Sequence, residues 1–166
     1  MDQLAVDLYD ELRLIARRLF RRERRRLTVQ PTAIIHEAFL RLRGAHQLTV
    51  NDRVHFARLA ARVMRRILAE RARRRRGSGP TQIEEVTLTD RLGHTTSWSV
   101  DLADLDRALR KLREENPRDA DIVELRYFGG LTHGEIAGLL GVSVSTVEKS
   151  WRFARSRLFI ELGPPG

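Results

Sequence analysis

The stretch Leu131-Thr132-His133-Gly134-Glu135-Ile136-Ala137-Gly138-Leu139-Leu140-Gly141-Val142-Ser143-Val144-Ser145-Thr146-Val147 decides how this chain folds. Thr132 is a good N-cap residue, and Glu135 three positions on completes a capping box. Ile136, Leu139 and Leu140 are expected to face inward from the helix that follows. Gly141 stands where a tight turn between two crossing helices needs positive φ, which glycine adopts without steric cost. Ser143 then caps a second helix. The order is that of a helix-turn-helix, whose second helix enters the DNA major groove. At 3.6 residues per turn, Val144, Val147, Trp151, Ala154 and Leu158 share the expected core face of that second helix. Ser145, Lys149, Arg152 and Ser156 lie opposite; Glu148 and Arg155 flank one side, Thr146 and Phe153 the other. Small polar groups and cations at outward positions suit phosphate and base-edge contacts. The candidate duplex-reading residues are therefore Ser143, Ser145, Thr146, Glu148, Lys149, Arg152 and Arg155.

Working outward, the same helical periodicity recurs along the chain. Leu102, Leu105, Leu109 and Leu112 form a stripe that Asn116-Pro117 breaks, and Ile122, Val123, Leu125 and Phe128 form another, ended by Gly129-Gly130. Near the N-terminus, Leu4, Leu8, Leu12, Ile15 and Leu19 make one apolar face. Pro31 can open a second helix carrying Ile34, Ile35, Ala38, Phe39 and Leu42, with Gly44 able to stop it. A third helix is expected from about Arg53 to Arg74. Its apolar stripe is Phe56, Leu59, Ala60, Val63 and Ile67, joined by Met64 and Leu68. Its other face is Arg58, Arg62, Arg65, Arg66 and, further on, Arg73 to Arg76. The composition changes at Gly77-Ser78-Gly79-Pro80, the best linker candidate. From there to about Trp98 helical periodicity lapses, and an irregular segment is expected, with at most a short strand or turn. The predicted fold class is all-α: two small helical domains, residues 1–76 and 100–166, joined by a flexible linker at 77–99, the C-terminal domain a helix-turn-helix.

Charge divides the chain in the same place. Of 166 residues, 31 are Lys or Arg and 22 are Asp or Glu, a net charge of +9. Residues 1–76 carry 20 Arg against 8 acidic residues, net +12, whereas residues 77–166 carry a net −3. That asymmetry points to a polyanionic partner for at least one half. The absence of Cys excludes disulfides, thiolate metal sites and a Cys nucleophile. No apolar run approaches the roughly 20 residues of a membrane span, so no membrane insertion is expected. The first residues lack the basic-then-apolar order of a signal peptide, and a cytoplasmic location is expected.

The C-terminal wording, Leu125-Arg126-Tyr127-Phe128-Gly129-Gly130-Leu131-Thr132 with Glu135-Ile136-Ala137, Leu140-Gly141-Val142-Ser143 and Thr146-Val147, resembles the fourth conserved region of bacterial sigma factors, above all the extracytoplasmic-function (ECF) group. Pro31 to Leu42 resembles the second-region helix that docks on the polymerase clamp, and Met64 to Arg71 the end of the promoter-melting helix. The resemblance covers about residues 4–75 and 100–162. Thr32-Ala33 stand where members often carry an acidic pair, and Arg66 stands in place of a usual Asn, as in a divergent subgroup. The resemblance implies core RNA polymerase and promoter DNA as partners, with an anti-sigma factor a further candidate. It implies −35 reading by the helix-turn-helix. For polymerase binding it points to Ile34, Ile35, Glu37, Ala38, Phe39 and Arg41, although the apolar members could equally be core. For the −10 element it points to Arg58, Arg62, Arg65, Arg66 and Arg73 as backbone contacts, with His46, Asn51 and His55 as readers of an extruded base.

Enzyme chemistry finds no footing. His36-Glu37 lacks the second His of a metalloprotease motif, because Leu40 stands there. The five His are scattered, and no Gly-rich phosphate loop, nucleophile elbow or convergent carboxylate pair is present. No catalytic residue, metal or cofactor is expected. Two other readings stay open on sequence alone: a stand-alone dimeric helix-turn-helix regulator, and an interaction module sequestered by a protein partner.

Overall fold

The computed structural model of the chain describes residues 3–22, 30–44, 53–76, 85–88 and 98–163. Helices dominate: α1 (Gln3–Arg22), α2 (Pro31–Gly44), α3 (Arg53–Arg76), α4 (Leu102–Glu115), α5 (Pro117–Val123), α6 (His133–Leu140) and α7 (Val144–Leu162). The fold is all-α, as the periodicity predicts. It also carries a short antiparallel ribbon of β1 (Glu85–Leu88) and β2 (Trp98–Asp101), in the segment expected to be irregular with room for a short strand or turn. Its register pairs Val86 with Val100 and Leu88 with Trp98. Val86-Thr87-Leu88 and Trp98-Ser99-Val100 alternate apolar and hydroxyl residues, a strand period too short to stand out in a chain read for helices.

The stripes read from the sequence become the core. Leu8, Leu12, Ile15 and Leu19 of α1 pack with Ile34, Ile35, Ala38 and Leu42 of α2 and with Ala60, Met64, Ile67 and Leu68 of α3. In the second half, Leu102, Leu105, Leu109 and Leu112 of α4 pack with Ile122, Val123, Ile136, Val147, Trp151, Ala154 and Leu158. The two groups are not separate. They belong to one continuous apolar cluster, with α3 lying against α4 and against the segment after α5.

Caps set the corners. The Asp101 side chain accepts hydrogen bonds from the Ala103 and Asp104 amides, which starts α4 directly out of β2. Asn116 closes α4 and, by accepting from the Asp119 amide, opens α5, with Pro117 at its first position. From Glu124 to Phe128 the helix loosens into a π turn, closed by the Gly129 amide donating to the Glu124 carbonyl at 2.9 Å. A side chain at Gly129 would put its Cβ 2.7 Å from the Leu125 carbonyl oxygen, so this turn requires glycine.

Candidate nucleic-acid interface

The helix-turn-helix forms as its capping residues dictate. Thr132 accepts from the Glu135 amide at 3.1 Å, and the Glu135 carboxylate accepts in return from the Thr132 amide. Gly141 has φ +67°, the left-handed conformation that ends α6. Ser143 caps α7 through the Thr146 amide at 3.1 Å, and the Ser143 and Thr146 hydroxyls lie 2.8 Å apart.

Packing sorts α7 into two faces. Val147, Trp151, Ala154 and Leu158 are buried, and Ser145, Lys149, Arg152 and Ser156 are exposed. Ser143 is exposed; Thr146, Glu148 and Arg155 are half-buried along the flanks. All seven proposed duplex readers thus lie on or beside one outward surface. Val144 departs from expectation: it is 45% exposed rather than core. It is the first residue of α7, where a helix has neighbours on one side only. Two ion pairs hold α7 to α4: Lys111 with Glu161, and Arg157 with Glu115.

Helix α2 requires a correction. Ile34, Ile35 and Ala38 are buried against α1 and α3, so they cannot form a partner-facing surface while α2 stays packed. Phe39 is half-buried, its ring edge-on to Tyr9 with centroids 5.7 Å apart. Glu37 and Arg41 do reach the surface, in a network with α3: Arg41 pairs with Glu37 at 2.7 Å and Glu70 at 2.6 Å, and Arg71 pairs with Glu37 at 2.9 Å. The Arg41 hydrogen bond holds the Glu70 carboxyl below its usual range, and the Glu70 hydrogen bond raises Arg41. The exposed face of α2 is His36, Leu40, Arg41 and Arg43.

The cationic face of α3 departs furthest from its predicted surroundings. Arg65, expected to meet DNA, is 2% exposed. Its Nε lies 3.0 Å from Glu124 and its Nη1 3.3 Å from Asp106. Burial pulls its pKa down, opposed by Glu124 and Asp106. Arg58 pairs with Asp121 at 3.1 Å, Arg62 reaches Asp121 and Glu124 at 3.9 Å, and Arg73 pairs with Asp106. From α4, Arg113 grips both Asp121 and Glu124 at 2.8 Å, and Arg110 meets Asp106 at 3.2 Å. Burial lowers the Arg113 pKa, but its hydrogen bond to Asp121 and the charges of Glu124 and Asp121 outweigh this and leave it raised. Arg66, the fifth α3 candidate, is exposed and stands outside these ion pairs. His46 and Asn51 lie outside the described residues, as does the side chain of His55. Sequence reasoning missed Asp106, Asp121 and Glu124, the counter-charges of this face. The signal was present in the net negative charge of the second half and in the Asp121-Glu124 spacing, which places both on one helix side.

Among the described residues no cluster of His, Cys, Asp and Glu could hold a metal, and no helix is long and apolar enough to cross a membrane. The ECF sigma factor family model matches residues 1–163. No curated protein matches the sequence. A solved structure with 17% sequence identity, the sigma factor RpoE in complex with the anti-sigma factor NepR from Bartonella quintana, aligns over 96% of this chain and 94% of its own, with a TM-score of 0.41. On the family match, the chain belongs to the ECF sigma factors.

Proposed function

We propose that this ECF sigma factor binds core RNA polymerase and directs it to promoters through −10 and −35 elements. Residues 1–76 form the polymerase-binding and −10 unit, residues 77–99 the connection, and residues 100–166 the −35 unit. The exposed face of α7 enters the major groove, Arg152 and Lys149 reaching base edges and Arg155 the backbone. Arg58, Arg62, Arg66 and Arg73 follow the phosphates of the −10 region once α3 is uncovered. Polymerase docks on the outer face of α2, around Leu40 and the Glu37-Arg41 network. Catalysis belongs to the polymerase, and an anti-sigma factor is a candidate regulator.

One observation carries the reading: the family match runs through both halves, residues 1–163, whereas a stand-alone helix-turn-helix regulator needs only the last third. Run-off transcription with purified core polymerase and genomic fragments tests it. Defined transcripts dependent on this chain are expected. A stable homodimer that neither associates with core polymerase nor starts transcripts would establish the regulator instead.

A further inference from the structure

One buried carboxylate stands apart from the others. Asp119, in the first turn of α5, is 2% exposed. Asp106, Asp121 and Glu124 each meet an arginine. Among the described residues no Lys or Arg forms an ion pair with Asp119, and Arg118 acts on it only through its charge. Its hydrogen-bond partners are neutral. The Asn116 side-chain amide donates to Asp119 Oδ2 at 2.9 Å, while the Asp119 backbone amide donates to Asn116 Oδ1 at 3.3 Å. From α7, the Ser150 hydroxyl also donates to the Asp119 carboxylate. Burial pushes the Asp119 carboxyl up, and the Ser150 bond and the Arg118 charge offset only part of that.

The exchange with Asn116 caps α5, a local task. The bond to Ser150 joins two helices. Ser150 lies on α7 between exposed Lys149 and buried Trp151; it is itself 7% exposed, on the side packed against α5 and away from the duplex-facing surface. Apolar contacts through Trp151, Ala154 and Leu158 hold α7 to the core but fix its rotation loosely, because hydrophobic attraction has no direction. A hydrogen bond to a carboxylate has both direction and strength. We infer that Asp119 is a positioning residue for duplex reading: through Ser150 it sets the rotation of α7 about its axis, and so the aim of Lys149 and Arg152. This role rests on α7 reading the groove. A helix with its side chains has a radius of about 5–6 Å, so a rotation of about 20° carries their ends by about 2 Å. N–H···O bonds span only about 2.7–3.2 Å, so a shift of that size breaks a base-edge contact. A phosphate contact held mainly by charge falls off more gently with distance. Base preference is therefore what Asp119 governs, ahead of affinity.

The experiment uses the full chain assembled with core polymerase, on duplexes randomised across the −35 element. The readout is the ratio of binding to preferred and disfavoured sequences. Ser150→Ala removes the link between the helices and leaves the Asn116–Asp119 cap in place. It is expected to keep its helical circular dichroism and to lower the ratio about tenfold, the scale of one charge-assisted hydrogen bond. Asp119→Ala should lower it as far, and the double variant no further, because the two side chains act as one unit. A purely structural role would reduce the folded fraction and weaken all sequences alike, leaving the ratio unmoved. Trp151 gives a second reading without DNA. In a Trp98→Phe background it is the sole Trp, and Ser150→Ala should shift its emission. An unchanged ratio in folded Ser150→Ala overturns the positioning role, as does unchanged Trp151 emission. Should Asp119→Ala fail to fold, Ser150→Ala and the Trp151 emission decide alone. Wild-type holoenzyme with no −35 preference overturns the groove reading instead, and the Trp151 emission then judges the link to Asp119.

Discussion

Gly130 and Gly141 form a matched pair that tests the closed arrangement. Both sit in the left-handed region, at φ +69° and +67°. Around Gly141 an added Cβ meets nothing within 4 Å, whereas at Gly130 it would lie 2.7 Å from Cβ and 2.8 Å from Cδ of Arg18. Alanine at Gly141 therefore costs backbone strain alone. The left-handed penalty is about 1–2 kcal/mol, and the stiffer unfolded chain returns about 0.4–1, leaving a net loss of about 1 kcal/mol. Alanine at Gly130 pays the same strain and also drives into α1. The near atom is the Arg18 Cβ, fixed to the helix backbone, so α1 must shift; such overpacking typically costs a further 1–3 kcal/mol or so. The expected totals are about 1 kcal/mol for Gly141→Ala and about 2–4 for Gly130→Ala, read from urea unfolding at constant slope. Arg18→Ala should recover only part of the difference, since its own Cβ remains. If the two glycine variants lose the same stability, α1 does not rest on Gly130 in solution, and the closed packing is refuted.

Three further outcomes follow from single sites. Arg152→Ala should weaken binding to −35 duplexes by about 1–3 kcal/mol and relax preference at one or two base pairs, whereas Arg155→Ala should weaken all sequences alike and lower the salt slope by about one; randomised duplexes at two salt concentrations separate the two, and an unchanged preference in Arg152→Ala sinks the register drawn for α7. Thr132→Ala removes half of the capping box and should cost about 1 kcal/mol in urea unfolding, with no loss if the α6 start is frayed. Glu70, held below its usual pKa by Arg41, contributes stability above the unfolded carboxylate range that is lost as pH falls through its depressed folded value. The pair is more than a third exposed, so its contribution is a few tenths of a kcal/mol at most. Glu70→Gln should flatten the acid limb of the stability profile slightly, and a steeper limb in the variant contradicts the pairing.

The recognition half was legible because its signals are local. The Thr132-Glu135 box, the turn glycine and the Ser143 cap each act within four residues, so sequence spacing alone places them. Trp151 could be assigned to the core from its stripe for the same reason. The α2 residues could not be resolved that way: Ile34, Ile35, Ala38 and Phe39 wrap more than one face, and only the positions of α1 and α3 decide that the first three are covered. Arg65 failed for a related cause. A buried arginine and a solvent-facing one have the same spacing, and the partners that permit burial lie 41 and 59 positions away in sequence. The ribbon was hidden by length, since four-residue strands leave a period-two signal barely longer than chance.

The lopsided charge of the chain acquires a second meaning from these contacts. A net +12 in the first 76 residues, taken alone, asks for an external polyanion. Inside the folded chain, part of that demand is met by Asp106, Asp121 and Glu124. If stability were the only requirement, apolar side chains of similar size would serve at least as well between α3 and α4, because each buried ion must first be stripped of water. Yet α3 also shares one continuous apolar cluster with α4 and the π turn, so the carboxylates add to a packed apolar contact and do not replace one. The negative charge of the second half thus offsets part of the first half's excess within the folded chain itself.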